Sequence, residues 1–151
     1  RIKENVTDVE PENKVRIKLP DLPEHEDDIS VYGNEELLKV ALDNIVLNGC
    51  KYSGNAPVTV ELQLDKTQAI IIVTDKGIGI PTNEVKYIYD PFFRASNTSR
   101  FEGYGIGMPL TRNIMRMHRG SIEVISAENQ GTTIKVFLPL ASRRGLSLKQ
   151  D

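Results

Sequence analysis

The sequence predicts a two-layer α/β sandwich, a mixed β-sheet covered by helices on one face. Three observations predict it. Strand-like alternation comes in pairs separated by short polar turns, the pattern of antiparallel hairpins. Two stretches between those pairs carry apolar residues at helical spacing. The 151 residues, 39% hydrophobic and 26% charged, suffice for one domain with a sizeable core and are too few for two comfortable ones.

The elements follow in order. "KVRIKL" (14–19) alternates Val15, Ile17 and Leu19 with charges, as a half-buried strand does. "PDLPEHEDD" is a loop. Residues 33–53 form the strongest helix, with Asn34 as N-cap, Glu35 and Glu36 in the first turn, and Gly54 beyond the end. "VTVELQLD" (58–65) and "AIIIVTD" (69–75) make a hairpin around "KTQ". A turn and a short helix from Thr82 occupy 77–89. Residues 94–105 have almost no apolar content and are expected to form a mobile loop. A second helix spans about 108–118, and "SIEVIS" with "TTIKVFLPL" closes the sheet around "AENQG". Residues 1–14 read as a remnant of an upstream segment, 15–140 as the domain, and 141–151 as a disordered tail.

Composition excludes several classes. A net charge of -2 offers no basic field for nucleic acid. It also means that any phosphate site must be built locally. The single cysteine, Cys50, rules out an internal disulfide and Cys-rich metal sites. No run approaches the roughly 20 apolar residues of a membrane span. No membrane contact is expected, and the cytoplasm is the expected location.

Three clusters carry chemistry. The first is on the long helix, where Asn44, Asn48, Lys51 and Tyr52 share a stripe opposite an apolar face of Leu38, Leu42, Ile45 and Gly49. Asparagine is a poor helix former, so two of them four apart ask for a reason. An amide oxygen with phosphate oxygens suits Mg²⁺, which prefers hard ligands and keeps several waters. Taken alone, the stripe is as well explained by a solvated helix face. The second cluster is "DKGIGIP" (75–81). Asp75 ends an apolar strand, and Gly77 and Gly79 let backbone approach a ligand. A carboxylate there can accept from an exocyclic amine such as adenine's. The third is "GYGIGM" (103–108), where Gly103, Gly105 and Gly107 free backbone N–H groups at a helix N-terminus, a cradle for phosphate. Its spacing is not that of a dinucleotide fingerprint, and no Walker lysine motif occurs in the chain.

Between the second and third clusters lies "YDPFFRAS" (89–96), with no rationale as core. Together these segments resemble the catalytic and ATP-binding domain of bacterial sensor histidine kinases, of Bergerat-type fold, in the superfamily of gyrase, heat-shock chaperone and mismatch-repair ATPases. "NIVLNGCKYS" resembles the N box, "DKGIGIP" the G1 box, "DPFFRAS" the F box, "GYGIGMPL" the G2 box and "GTTIKVFLPL" the closing G3 element. The resemblance covers roughly residues 15–140 in order.

The resemblance implies ATP and Mg²⁺ as cofactors. Asn48 would ligate the metal, supported by Asn44; Lys51 would contact phosphate, and these three form the catalytic set. Tyr52 would pack beside the nucleoside, and Asp75 would bind the adenine amine. Gly77, Gly79 and Ile80 would shape that pocket, completed by Thr132 or Thr133. Residues 94–104 would form an ATP lid between the short and last helices, begun by Phe92, Phe93 and Arg94. Gly103, Tyr104, Gly105, Ile106, Gly107 and Met108 would wrap the phosphates. Hydrolytic members of the superfamily resemble one another in placing Glu at the position of Asn44. An amide cannot serve as that base, which favours a kinase over an ATPase.

The phosphoacceptor helix of the family is missing. His25 lies in a Pro-rich loop, and His118 fits a C-terminal helix cap. The implied partners are a histidine-bearing dimerisation domain and a response regulator, with this chain monomeric. The resemblance also allows the full-length parent to be anchored in the inner membrane. Two alternatives share the boxes: an anti-sigma-type serine kinase, and a nucleotide-binding signalling module without phosphotransfer. Pro109, Met108, Gly49 and Tyr104 depart from the usual residues without removing a contact the chemistry needs.

Overall fold

The computed structural model describes residues 15–19, 30–54, 56–98 and 105–141. His25, Gly103, Tyr104, residues 1–14 and residues 142–151 lie outside the described residues, and so do the expectations that fall on them. Strand β1 (Val15–Lys18) leads to helix α1 (Glu35–Tyr52), hairpin β2 (Val58–Leu64) and β3 (Gln68–Asp75), and a 3-10 helix (Thr82–Tyr87). A second 3-10 turn (Ser96–Thr98), helix α2 (Gly107–Met117), β4 (Ser121–Ser126) and β5 (Thr132–Pro139) complete the order. The short helix predicted from Thr82 is thus 3-10 in form.

The five strands form one mixed sheet in the order β1-β2-β3-β5-β4. β1 runs parallel to β2, starting from Val15 opposite Val58, and α1 lies in the crossover between them. A parallel pair needs such a crossover, whereas β2–β3 and β4–β5 close as tight antiparallel hairpins. Alternation then sorts the faces. Val58, Val60, Ile71, Val73, Ile134, Val136 and Leu138 are buried towards the helices, and their neighbours in sequence are more exposed.

Helix α1 buries Ala41, Leu42, Ile45, Val46, Gly49 and Cys50 against this face, and α2 adds Ile114 and Met115. Cys50 is a buried core thiol. Gly49 has a packing reason: a Cβ there would lie 3.3 Å from both Val58 methyls, so glycine lets α1 sit low on β2.

The cap predictions hold. Asn34 Oδ1 accepts the Leu37 amide at 3.1 Å, and Gly54 follows the helix with φ of 61°. His118 caps the end of α2, and it does more. Its Nδ1 faces the Ile114 carbonyl at 2.7 Å, and its Nε2 accepts the Asn34 amide at 2.9 Å. The proton therefore sits on Nδ1, and one buried ring joins the end of α2 to the start of α1. Gly33 is required beside it, because any Cβ there would collide with the ring. We expect His118→Ala to destabilise the fold by about 1–3 kcal/mol, the cost of stranding buried partners. Urea unfolding should show this, with His118→Gln recovering part. Wild-type stability in His118→Ala would mean that the junction is redundant.

The sequence-based expectation of a mobile loop from residue 94 needs correction. Residues 94–98 are tied down. Glu84 accepts the Ser96 amide at 2.9 Å and the Ser96 hydroxyl at 2.7 Å, and Asn97 donates to the Gly79 carbonyl at 2.9 Å. Thr98 is buried. Low apolar content misled because polar side chains, not apolar ones, do the anchoring. Ala141, assigned to a disordered tail, likewise donates to the Ser30 carbonyl at 2.6 Å.

Candidate functional site

A cavity of about 320 Å³ opens between α1, the N-terminus of α2 and the ends of β3 and β5, within the usual range for small-molecule sites. Asn44, Asn48, Lys51 and Tyr52 reach it from one stripe of α1. Asp75, Gly79 and Ile80 reach it from the end of β3, and Phe93 and Arg94 from the segment after the 3-10 helix. Gly105, Ile106, Gly107 and Met108 come from the start of α2, and Thr132 from β5. Of the two threonines, Thr132 lines the cavity, whereas Thr133 pairs with Ile125 and Thr74 and does not.

Asp75 forms the buried end, only 8% exposed. Burial raises its carboxyl above the usual carboxylate range, while hydrogen bonds from the Gly77 and Thr132 amides pull the other way. The Gly77 bond is 2.8 Å. Apolar Ile88, Val124 and Ile134 surround this end. The result is an oriented acceptor in an apolar slot, suited to a flat ring carrying an amine.

Gly77 differs from its expected place. It does not line the cavity; it packs behind it, where a Cβ would strike the Tyr52 carbonyl oxygen. The neighbouring Ile78 amide donates to that same carbonyl at 3.1 Å. Gly77 thus joins the β3 turn to the end of α1.

The opposite end suits anions. Helix α2 has no side-chain cap and no acid in its first turn. Among the described residues its first amides therefore have no side-chain partner, and Pro109 contributes none. Lys51 and Arg94 are the cationic lining residues. Lys51 Nζ lies 5.0 Å above the Tyr52 ring, and Arg94 Nη2 donates to the Thr98 carbonyl at 2.9 Å.

The two asparagines are not equivalent. Asn44 Nδ2 donates to Thr111 Oγ1 at 2.9 Å, and Thr111 donates in turn to the Gly107 carbonyl at 2.8 Å. Asn44 therefore braces α1 against α2. Asn48 makes no hydrogen bond to the described residues, and its amide faces the cavity. No group of three His, Cys, Asp or Glu side chains able to hold a metal exists among the described residues. A divalent cation here would rely on the Asn48 oxygen, ligand oxygens and water, a donor set that fits Mg²⁺.

Gly107 gives a test of the brace. An exposed helical glycine usually gains up to about 1 kcal/mol on replacement by alanine. Here a Cβ would lie 2.5 Å from Asn44 Oδ1 and 3.0 Å from its Cγ. We expect Gly107→Ala to cost about 1–2 kcal/mol in the wild type. In an Asn44→Ala background it should be neutral or stabilising. Thermal unfolding of the four proteins should give a coupling near 1 kcal/mol or more. Additive effects would show that Asn44 swings aside freely.

Phe92, expected to anchor the lid, does not do so through its ring, which is 75% exposed. Its backbone does: φ is 67°, and its amide donates to the Gly105 carbonyl at 2.9 Å. Phe93 supplies the ring contact, packing on Tyr87 with centroids 5.7 Å apart. Several supporting residues had no signal in the sequence. Thr111, Glu84, Asn97 and Ser126 act through hydrogen bonds to partners 4 to 67 residues away. Asn97 Oδ1 is buried without a hydrogen-bond partner among the described residues.

The comparisons with known proteins agree with this geometry. Residues 33–142 match the family described as histidine kinase-, DNA gyrase B- and HSP90-like ATPases. The sensor histidine kinase YclK of Bacillus subtilis (strain 168) is 30% identical over 139 residues, covering 89% of this chain and 28% of YclK. The adaptive-response sensory kinase SasA of Gloeothece citriformis (strain PCC 7424) is 36% identical over 112 residues, covering 73% of this chain and 28% of SasA. The chain therefore spans less than a third of these relatives. Among solved structures, the mycobacterial sensor histidine kinase MprB is similar with a TM-score of 0.74 at 26% identity, over 91% of this chain and 92% of that one. With the family pattern running through both helices and all but the first strand, the chain belongs to the histidine kinase-, DNA gyrase B- and HSP90-like ATPases.

Proposed function

We propose that this chain is the ATP-binding catalytic domain of a two-component sensor histidine kinase, presenting the γ-phosphoryl group of ATP to a histidine on a separate dimerisation domain. One observation carries the proposal. A buried carboxylate, an amide with no hydrogen bond to the described residues and a helix N-terminus without a side-chain cap among them converge on one cavity, and they match adenine, metal and phosphate in turn. The names of the relatives, all sensory kinases, support it.

The roles follow from the chemistry. Asp75 accepts from the exocyclic amine, and the apolar slot holds the base. Lys51, Arg94 and the first amides of α2 offset phosphate charge. Mg²⁺ at Asn48 would neutralise part of the charge on the bridging oxygens. In the transfer, an imidazole nitrogen forms a bond to the γ-phosphorus while the bond to the ADP oxygen breaks, and ADP leaves with that electron pair. The imidazole proton goes to solvent. Among the described residues, the position on α1 where a base could activate water holds Asn44, an amide already engaged with Thr111. This arrangement favours transfer over hydrolysis. A response regulator would accept the phosphoryl group from that histidine.

Calorimetric titration with ATP, with and without Mg²⁺, tests the proposal. The wild type should bind more tightly with Mg²⁺, and Asn48→Ala should lose about tenfold of that enhancement, or about 1.4 kcal/mol. Full metal dependence in the variant would remove Asn48 from the metal. Phosphate transfer from ATP to a supplied His-bearing domain, and not to a Ser-bearing protein, completes the test. The reverse outcome would make the chain a serine kinase.

A further inference from the structure

Ser126, on β4, belongs to none of the motifs in the sequence, yet its hydroxyl gathers three segments at the buried end of the cavity. Its Oγ lies 2.8 Å from the Ile80 amide, 3.0 Å from the Gly131 carbonyl and 2.7 Å from Thr132 Oγ1. A hydroxyl has one proton and two acceptor lone pairs. The Ile80 amide can only donate, so it occupies one lone pair. The Gly131 carbonyl can only accept, so it takes the one proton. One direction remains for the third bond: Thr132 Oγ1–H donates to Ser126. Only this arrangement satisfies every partner, and half-buried polar groups favour it for that reason.

The Thr132 proton is thereby committed, and Thr132 has only lone pairs to offer the cavity that it lines. Directly opposite, Asp75 pairs with Thr132 in the β3–β5 register. Its carboxylate, when ionised, is also an acceptor.

We propose that Ser126 is a positioning residue for base specificity. By holding the Thr132 proton it keeps Asp75 and Thr132 as paired acceptors, which match the two N–H of a 6-amino group and leave the lone pairs of a 6-oxo group without a donor. The inference rests on the adenine-nucleotide reading above. Without the Ser126 hydroxyl, the Thr132 proton is free to turn into the cavity and donate to a 6-oxo group. Discrimination then falls, because a site offering only acceptors to the 6-position rejects an oxygen there far better than one that can turn a donor towards it.

Titration of the domain with Mg·ADP and Mg·IDP, whose base carries oxygen in place of the amine, provides the test. The wild type should prefer ADP. Ser126→Ala should lose tenfold or more of that preference, and Ser126→Thr, which keeps a hydroxyl, should retain it. A merely structural role would weaken both nucleotides alike. A ratio unchanged within twofold in Ser126→Ala therefore overturns the inference. Should that variant not fold, Thr132→Val provides the measurement, with a reduced ratio expected and an unchanged one overturning the inference. A wild type that binds neither nucleotide removes the adenine reading itself. One that binds ADP while the ratio in Ser126→Ala stays fixed removes only the role of Ser126.

Discussion

Replacing Asp75 with asparagine is expected to weaken ATP binding at least tenfold, about 1.4 kcal/mol, while leaving the unliganded domain as stable as the wild type or more so. Both effects come from one fact. The carboxylate is buried, and burial raises its pKa above the ordinary carboxylate value. A raised value means that the fold favours the protonated acid. The stability Asp75 contributes is therefore complete in acid and is lost as pH rises through the raised value. Asparagine keeps an oxygen for the Gly77 amide and carries no charge to desolvate. At pH 7.5 the variant should melt at or above the wild type. The gap should close as pH falls, and vanish below the ordinary aspartate value of about 3.9. Thermal melts across that window check the stability, and titration calorimetry checks the affinity. A variant less stable than the wild type at pH 7.5, with the deficit vanishing in acid, would mean that the charged form is held by more than its two amides.

The second large effect is structural. Gly131→Ala should destabilise the domain by about 3 kcal/mol, adding the strain of a left-handed alanine to that of displaced backbone. Gly131 has φ of 80°, and a Cβ there would overlap the Asp75 carbonyl oxygen and lie 2.9 Å from Lys76 Cα. Both are main-chain atoms, so no rotamer change relieves them. For a domain of this size the melting temperature should fall by about 10 °C. Because the displaced carbonyl belongs to Asp75, nucleotide affinity should fall with it. Gly54→Ala is the contrast: its φ is also positive, at 61°, but nothing lies within 4 Å of the added carbon. Equal losses in the two variants would show that backbone conformation, not the collision, sets the cost.

Much of this architecture was legible in the sequence, for identifiable reasons. The strands and α1 were legible because burial on one face imposes a period of 2 or 3.6 on the residues. The convergence of Asn48, Asp75, Gly79, Gly105 and Gly107 on one cavity was legible because the proposed chemistry asks for particular groups at particular places. The 3-10 form of residues 82–87 was not, because a single short element carries too few positions to distinguish one helical period from another. The lid's base was misjudged for a different reason. Glu84, Ser96 and Asn97 hold it through polar bonds that join residues 12 and 18 apart, and such pairings leave no periodic trace. Ser126 and Thr111 escaped notice in the same way, each an ordinary polar residue until the partner across the fold is known.

The His118 junction has a mechanical consequence. Helix α2 is fixed to the start of α1 at one end and meets the cavity at the other. Its 11 residues make a lever about 16 Å long at 1.5 Å per residue. With the imidazole as fulcrum, a 1 Å shift of Gly107 tilts the rod by about 4°. Leu110, 47% exposed near the moving end, travels most of that distance, and Met117, 67% exposed beside the fulcrum, hardly moves. Crowding at the first turn of α2 strong enough to break the Asn44–Thr111 brace would be converted into a graded reorientation of its outward apolar side chains.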